Sequence, residues 1–241
     1  MSLWTGTLDL LFPPKCPFCR VLLEKESQGL CPKCQMTLPW LIGPNGTRPL
    51  RGTEGCVSPL AYDGLVVDAI HRYKFSGLRC YHKVFGQLMA QCAVDHQLTA
   101  ADGVTWAPLS KKRLRERGYD QARLLAQDVG QLLDIPVVST LRKVRHIPPQ
   151  SERQDAAERK TNVAGAYAMA PKADVKGKRL ILVDDVVTSG ATLEECVQQL
   201  RLSGVEQVWC LTLARAGTGG GEGKIKEKTV ENHSLTVYNE R

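Results

Sequence analysis

The stretch Arg179-Leu-Ile-Leu-Val-Asp-Asp-Val-Val-Thr-Ser-Gly-Ala-Thr192 restricts the choice of fold more than any other part of the chain. Leu180 to Val183 is a short, unbroken apolar run of the kind a strand needs when both of its faces are covered. Two carboxylates follow, Asp184 and Asp185, then a turn of small hydroxyl and glycine residues from Thr188 to Thr192, and a helical pattern opens at Leu193. Such a strand belongs to a parallel sheet flanked by helices, so the chain is predicted to be α/β. The turn has the makings of an anion site. Its backbone N–H groups and the positive end of the helix face one point, and only small side chains let a phosphate come close. The acid pair beside it suits sugar hydroxyls or a hydrated magnesium ion. Together these groups describe a ribose phosphate. A Walker loop is excluded, since the chain has no Gly-Lys-Ser/Thr.

A second constraint lies near the start. Cys16-Pro-Phe-Cys19 and Cys31-Pro-Lys-Cys34 are separated by eleven residues, and each pair puts two sulfurs on one side of a shared metal. Four thiolates from two tight turns are a tetrahedral zinc set with no position left for water, which points to structural zinc rather than a catalytic ion. A redox or disulfide role is the alternative. The nine cysteines are an odd number, and in a reducing compartment paired Cys-x-x-Cys favours metal.

Composition narrows the function classes. No apolar run approaches the roughly 18 residues that span a bilayer. Met1 to Leu11 has neither a basic start nor a small-residue cleavage site, so the expected location is cytoplasmic, with no membrane span. A net charge of +7 and a pI near 9.0 suit anionic partners, either a pyrophosphate-bearing substrate or nucleic acid.

Taken in order, the chain divides into a zinc-binding module at 1–40, a Gly-, Pro- and Asn-rich linker at 41–60, an α/β domain at 61–216, and a polar tail at 217–241 without expected structure. His71-Arg-Tyr-Lys-Phe-Ser-Gly77 reads either as a helix C-terminus or as a segment that brings Lys74 to a pyrophosphate. Val84 to Val94 is an amphipathic helix, and Val104 to Pro108 a strand. The basic run Lys111, Lys112, Arg113, Arg115 and Arg117 follows that strand. It is either a solvated face or a ligand-binding edge at the strand's C-terminal end. Leu124, Leu125, Val129, Leu132 and Leu133 mark the next helix. The segment 142–162 is either a lid over the site or a plain connector. Leu193 to Leu202 is a helix and Val205 to Leu213 the last strand.

Several of these pieces, in this order, resemble the ComF family (ComFC- and GntX-like), a branch of the type I phosphoribosyltransferase-like proteins. The residues that carry the resemblance are the four cysteines, Tyr73-Lys-Phe75 with Gly77, and Pro108-Leu-Ser110 leading to Arg115-Glu-Arg-Gly-Tyr-Asp-Gln121. Pro149-Gln150, Glu158-Arg159, Asn162-Val163, the run from Val183 to Thr192, and Leu211 to Arg215 complete the set. The family usually has Asn where Asp120 stands and often Thr where Ser189 stands.

The resemblance implies a type I phosphoribosyltransferase-like parallel sheet and a site for phosphoribosyl pyrophosphate (PRPP). Asp184 and Asp185 would take the ribose hydroxyls, directly or through magnesium, and are the candidate catalytic residues. Val186, Val187, Thr188, Ser189, Gly190, Ala191 and Thr192 would form the phosphate-binding run. Lys74, Lys111 and Arg117 would answer the pyrophosphate. Two functions are then open. One is a magnesium-dependent phosphoribosyltransferase of unknown acceptor. The other is a single-stranded-DNA-binding factor in DNA uptake, with PRPP as ligand or regulator and competence or DNA-uptake proteins as partners.

Overall fold

Two long strands with apolar side chains on both faces set the layers of this molecule. The computed structural model describes residues 13–23, 29–145 and 164–217. In chain order it carries helix α1 (Pro32–Thr37), strands β1 (Thr47–Arg48), β2 (Gly55–Val57) and β3 (Leu60–Ala61), and helices α2 (Gly64–Phe75) and α3 (His82–Asp95). Strand β4 (Gly103–Trp106) is followed by helices α4 (Lys111–Arg117) and α5 (Gln121–Leu133), and by strands β5 (Leu141–Lys143) and β6 (Tyr167–Met169). Strand β7 (Arg179–Val187), helix α6 (Ala191–Leu202) and strand β8 (Gln207–Arg215) close the fold.

The main sheet runs β1-β2-β8-β7-β4, with β3 also on β8. All its pairs are parallel except the antiparallel edge β1–β2. Along β7, Ile181 and Val183 enter one core with Ile70, Tyr73, Phe85, Met89, Leu125 and Leu211. Leu180 and Leu182 enter a second with Val208, Cys210, Leu193, Val197 and Leu200. This is the period of two that places successive strand side chains on opposite faces. Helices α2, α3 and α5 therefore cover one side of the sheet, and α6 with the antiparallel β5–β6 pair covers the other.

The segment 41–60, expected as a linker, is instead part of the sheet. Thr47 and Arg48 pair with Val57 and Cys56, and β2 and β3 lie along β8 in one register. The break between them falls at Ser58-Pro59, where proline has no N–H to give. Ser58 Oγ meets Thr212 Oγ1 at 2.7 Å there, which satisfies two buried hydroxyls. Glycines and prolines in 41–60 thus serve a kinked edge rather than a free tether. Strand β7 also runs farther than the apolar pattern indicates. Asp184 pairs with Thr212 and Val186 with Ala214, so the acids lie within the strand, and α6 begins at Ala191, not Leu193.

At the other end of the chain, Cys16, Phe18, Leu30 and Cys34 pack into the same core as Phe85. The proposed tail, the lid beyond residue 145 and the matching motifs at 149–163 lie outside the described residues. Among the described residues no helix is long and apolar enough to cross a membrane.

Candidate functional site

The acids at the end of β7 are separated by the pleat. Asp185 lies on the α2 side, where Lys74 of α2 closes on its Oδ1 at 2.7 Å. Asp184 acts instead on Cys196, Lys143 and Tyr167, which belong to the α6 side. Burial, then the charge of Asp185, pushes the Asp184 carboxyl up to about 7. The Asp185 backbone N–H donates to Asp184 Oδ1 at 2.8 Å. Lys74 stands in the last turn of α2, so the helix-end reading holds, and the same turn brings the lysine to Asp185.

Beyond the acids the chain turns through Thr188, Ser189 and Gly190. Gly190 has φ +87°, a left-handed backbone that calls for glycine, and a Cβ there would lie 2.5 Å from Leu50 Cδ2 and would have to displace the end of that side chain. Ala191 N–H faces Ser189 Oγ at 3.4 Å. Thr192 lies in the first turn of α6, partly exposed. Val187 is in the α6-side core and Val186 packs against the α2-side one, so both side chains are taken up in continuing the strand.

Arg117 stacks on Phe75, with Cζ 4.7 Å from the ring centroid, and donates to Gln121 Oε1 at 2.9 Å. Burial lowers the affinity of its guanidinium for the proton, and the charge of Asp185 acts the other way. It is thus brought to the Lys74–Asp185 side of the site. Lys111 is exposed at the opposite end of α4, about 9 Å of helix rise away, and the structure does not gather it with the acids. Asp120 is a cap: its carboxylate accepts N–H groups from Leu109 (3.0 Å) and Arg123 (3.2 Å), pinning the β4–α4 loop to the start of α5.

Three residues near the site had not been singled out. Arg48 of β1 donates to the carbonyls of Thr188 and Ser189, bracing the turn from behind. Lys143 donates to the Tyr167 hydroxyl at 3.0 Å, and burial depresses the lysine pKa and raises that of the tyrosine. No local pattern marks them, because each reaches the site by a pairing distant in sequence.

The cysteine sulfurs Cys16, Cys19, Cys31 and Cys34 all lie within 4.8 Å of one another. Zinc–sulfur bonds of about 2.3 Å put the corners of a tetrahedron about 3.8 Å apart, so the set fits zinc. Cys31 caps α1, its Sγ accepting the Cys34 N–H at 3.4 Å. This holds both thiols of the second pair on one side of the cluster.

Comparison with known proteins agrees with this architecture. Residues 119–239 match the family described as Phosphoribosyl transferase domain, and residues 7–47 the Double zinc ribbon domain. The chain is 31% identical to Competence protein F of Haemophilus influenzae, over 84% of this chain and 97% of that protein. The chain belongs to the competence protein F (ComF) family. Other similar proteins are DNA utilization protein YhgH of Escherichia coli K12 (27% identity, 84% of this chain, 98% of the relative) and Competence protein ComFC of Bacillus subtilis (25%, 77% and 78%). This ComF-family chain carries a four-cysteine zinc ribbon joined to a phosphoribosyltransferase-type sheet. Its first match begins at 119, so Lys74 comes from outside that span to meet the acids within it.

Proposed function

We propose that this protein binds PRPP with magnesium at the end of β7 and transfers the phosphoribosyl group to an acceptor not yet identified. The observation that carries the reading is the Lys74–Asp185 pair beside the Thr188–Gly190 turn. A cation from a remote helix has been brought to the acid that borders a small-residue turn at a helix N-terminus. The donor set suits a divalent cation: of two adjacent carboxylates only Asp185 has a close lysine, and Asp184 holds its proton to about 7 until more positive charge arrives. When bound, magnesium would neutralise pyrophosphate charge.

The rest of the task falls to the chain. Backbone amides from Ser189 to Thr192 and the turn's hydroxyls hold the 5′-phosphate at the positive end of α6. Asp184 and Asp185 orient the ribose hydroxyls. Lys74, with Arg117 near it, attracts the departing pyrophosphate. Displacement breaks the bond from ribose C1 to pyrophosphate and forms one to the acceptor, through an oxocarbenium-like state that the adjacent carboxylates favour. The zinc is structural, and the compartment is the cytoplasm. The test is calorimetry with PRPP in the presence of magnesium, followed by a search for pyrophosphate release across acceptors. Well-folded protein that takes up no PRPP would sink the reading.

A second reading is a factor that binds single-stranded DNA, in line with the printed names of the relatives. One observation favours it: the fold sets aromatics beside arginines, Arg117 at the end of the basic run on an exposed Phe75 and Arg123 of α5 over Trp106 at 5.7 Å. Affinity for an oligonucleotide that is indifferent to salt would remove this reading.

A further inference from the structure

The last turn of α2 is fastened at three consecutive residues, each to a different part of the molecule. Arg72 reaches the N-terminal module, where its Nη2 donates to the carbonyls of Pro17 (2.9 Å) and Phe18 (2.8 Å). These are the two residues between Cys16 and Cys19. Tyr73 is fully buried; its hydroxyl donates to the Gln121 carbonyl at 3.1 Å, and its own carbonyl accepts the Tyr119 hydroxyl. Lys74 closes on Asp185. Phe18 adds an aromatic contact to Phe85 of α3, with centroids 5.7 Å apart.

A hydrogen-bonded helical turn moves as a unit, so a shift at Arg72 is felt at Lys74 two residues on. The turn that carries these carbonyls is closed by the Arg20 and Cys16 N–H groups, which donate to the Cys16 and Val21 carbonyls at 2.9 Å, and its orientation is sharpened when both sulfurs of the Cys16–Cys19 knuckle converge on one point. A metal supplies that convergence. Charge works in the same sense: four thiolates around one divalent zinc leave a net negative cluster, which attracts a guanidinium. Among the described residues Arg72 forms no salt bridge with a carboxylate, and its buried Nε–H has no protein partner. The knuckle is the partner that holds it.

We infer that the zinc ribbon is a strut for the β7 site, with Arg72 a positioning residue that transmits the geometry of the metal-bound knuckle to the Lys74–Asp185 pair. Only its consequence for substrate rests on the proposed PRPP site; the mechanical link does not. Because coupling is reciprocal, zinc and the site's ligand should each tighten the other's binding.

The test follows Lys74 directly. The full chain, loaded with zinc, is treated with an amine-acylating reagent at fixed pH, and the rate of modification at Lys74 is read by mass spectrometry. In the unaltered protein the ion pair slows it. Asp185→Asn sets the unprotected rate. Arg72→Gln, still holding one zinc per chain, should label Lys74 about 5-fold faster or more, in the usual range of coupling between sites. Arg72→Lys, which can donate to one of the two carbonyls, should restore part of the protection. Chelating zinc from the unaltered protein should accelerate labelling and adding zinc back should reverse it.

Zinc-loaded Arg72→Gln that labels at the unaltered rate, while Asp185→Asn labels faster, overturns the inference. Should Arg72→Gln fail to hold zinc, the chelated protein decides: a folded sheet with unchanged Lys74 labelling overturns it equally. Calorimetry with PRPP and magnesium separates the two ideas. Faster labelling without any PRPP uptake leaves the strut standing and removes the proposed function. PRPP uptake with labelling unmoved by Arg72→Gln removes the strut and keeps the function.

Discussion

The zinc ribbon and the end of β7 are both small clusters of like-charged ligands, yet their relation to stability is opposite. The ribbon has little core of its own, a few side chains such as Phe18 and Leu30 shared with the larger domain. Its sulfurs converge on a metal that supplies the folding energy. The acids of β7 end a strand whose preceding residues, Leu180 to Val183, are fully buried. Each of those side chains contributes roughly 1.5–3 kcal/mol of transfer free energy, so the strand forms whether or not the acids are satisfied. One cluster makes its fold. The other is carried by a fold that would be more stable without it, which is the pattern expected where stability is given up for binding.

The sharpest way to break this comparison is at the metal. Cys31→Ser, or chelation, should abolish stoichiometric zinc and cost the module more than about 3 kcal/mol, read as a lost or separate transition in a thermal melt. The thiolates leave no spare ligand to compensate. A variant that keeps one tightly held zinc and an unchanged melt would show the ribbon to be self-supporting, and the contrast would vanish.

How the two clusters announce themselves in the sequence also differs. The ribbon is written locally, as two Cys-x-x-Cys turns, and the sulfurs fall together in the structure. The acid pair and the turn to Gly190 are equally local, and so is the two-faced strand before them. What the sequence does not show is whatever depends on pairing at a distance. Thr47 and Arg48 sit among glycines and prolines that suggest a linker, and only the register against Cys56 and Val57 makes them an edge strand bracing Thr188. Lys74 fits two readings until α2 is packed beside β7. Asp120 differs from the family's usual Asn, and its bonds show what the carboxylate adds: Oδ1 accepts the Arg123 N–H and Oδ2 the Leu109 N–H, whereas Asn has one acceptor oxygen and could take only one of them. The basic run separates in the same manner: Arg117 is drawn to Phe75 while Lys111 remains exposed, a division no charge pattern could announce.

At the acid cluster the comparison makes the reverse claim. Asp184→Asn with Asp185→Asn should weaken magnesium-dependent PRPP binding at least about 100-fold, roughly 2.7 kcal/mol, while the melting temperature holds or rises. Calorimetry and a thermal scan on the same preparation decide it. Loss of binding together with loss of fold would mean that the acids are structural. The turn that follows is less forgiving. Gly190→Ala would have to accept φ +87° and a contact with Leu50 at 2.5 Å, so it should cost about 2 kcal/mol. A melt unchanged within error would show that Leu50 yields freely and that the turn is not tightly braced.

The smallest effect is also the most direct measure of what the acids cost. In the folded chain, burial and the charge of Asp185 raise the Asp184 carboxyl to about 7, against an ordinary value of 3.8. Below the ordinary value both folded and unfolded chains hold the proton, and the folded site carries no charge penalty. As pH rises toward 7 the unfolded chain ionises freely while the folded chain resists. Stability is therefore lost across that window, and the full penalty stands above about 7. Asp184→Asn cannot ionise, and its side-chain oxygen can still accept the Asp185 N–H. Its stability advantage over the unaltered protein should accordingly grow from pH 5.5 to about 7 and level off above that. Partial exposure of the carboxyl screens the effect, so the advantage should reach roughly 1–2 kcal/mol. Both proteins carry the same zinc ribbon, so any pH dependence of the metal cancels in the difference. An advantage that stays flat with pH, or shrinks, would mean that Asp184 is ionised at no cost and that β7 carries its acids freely.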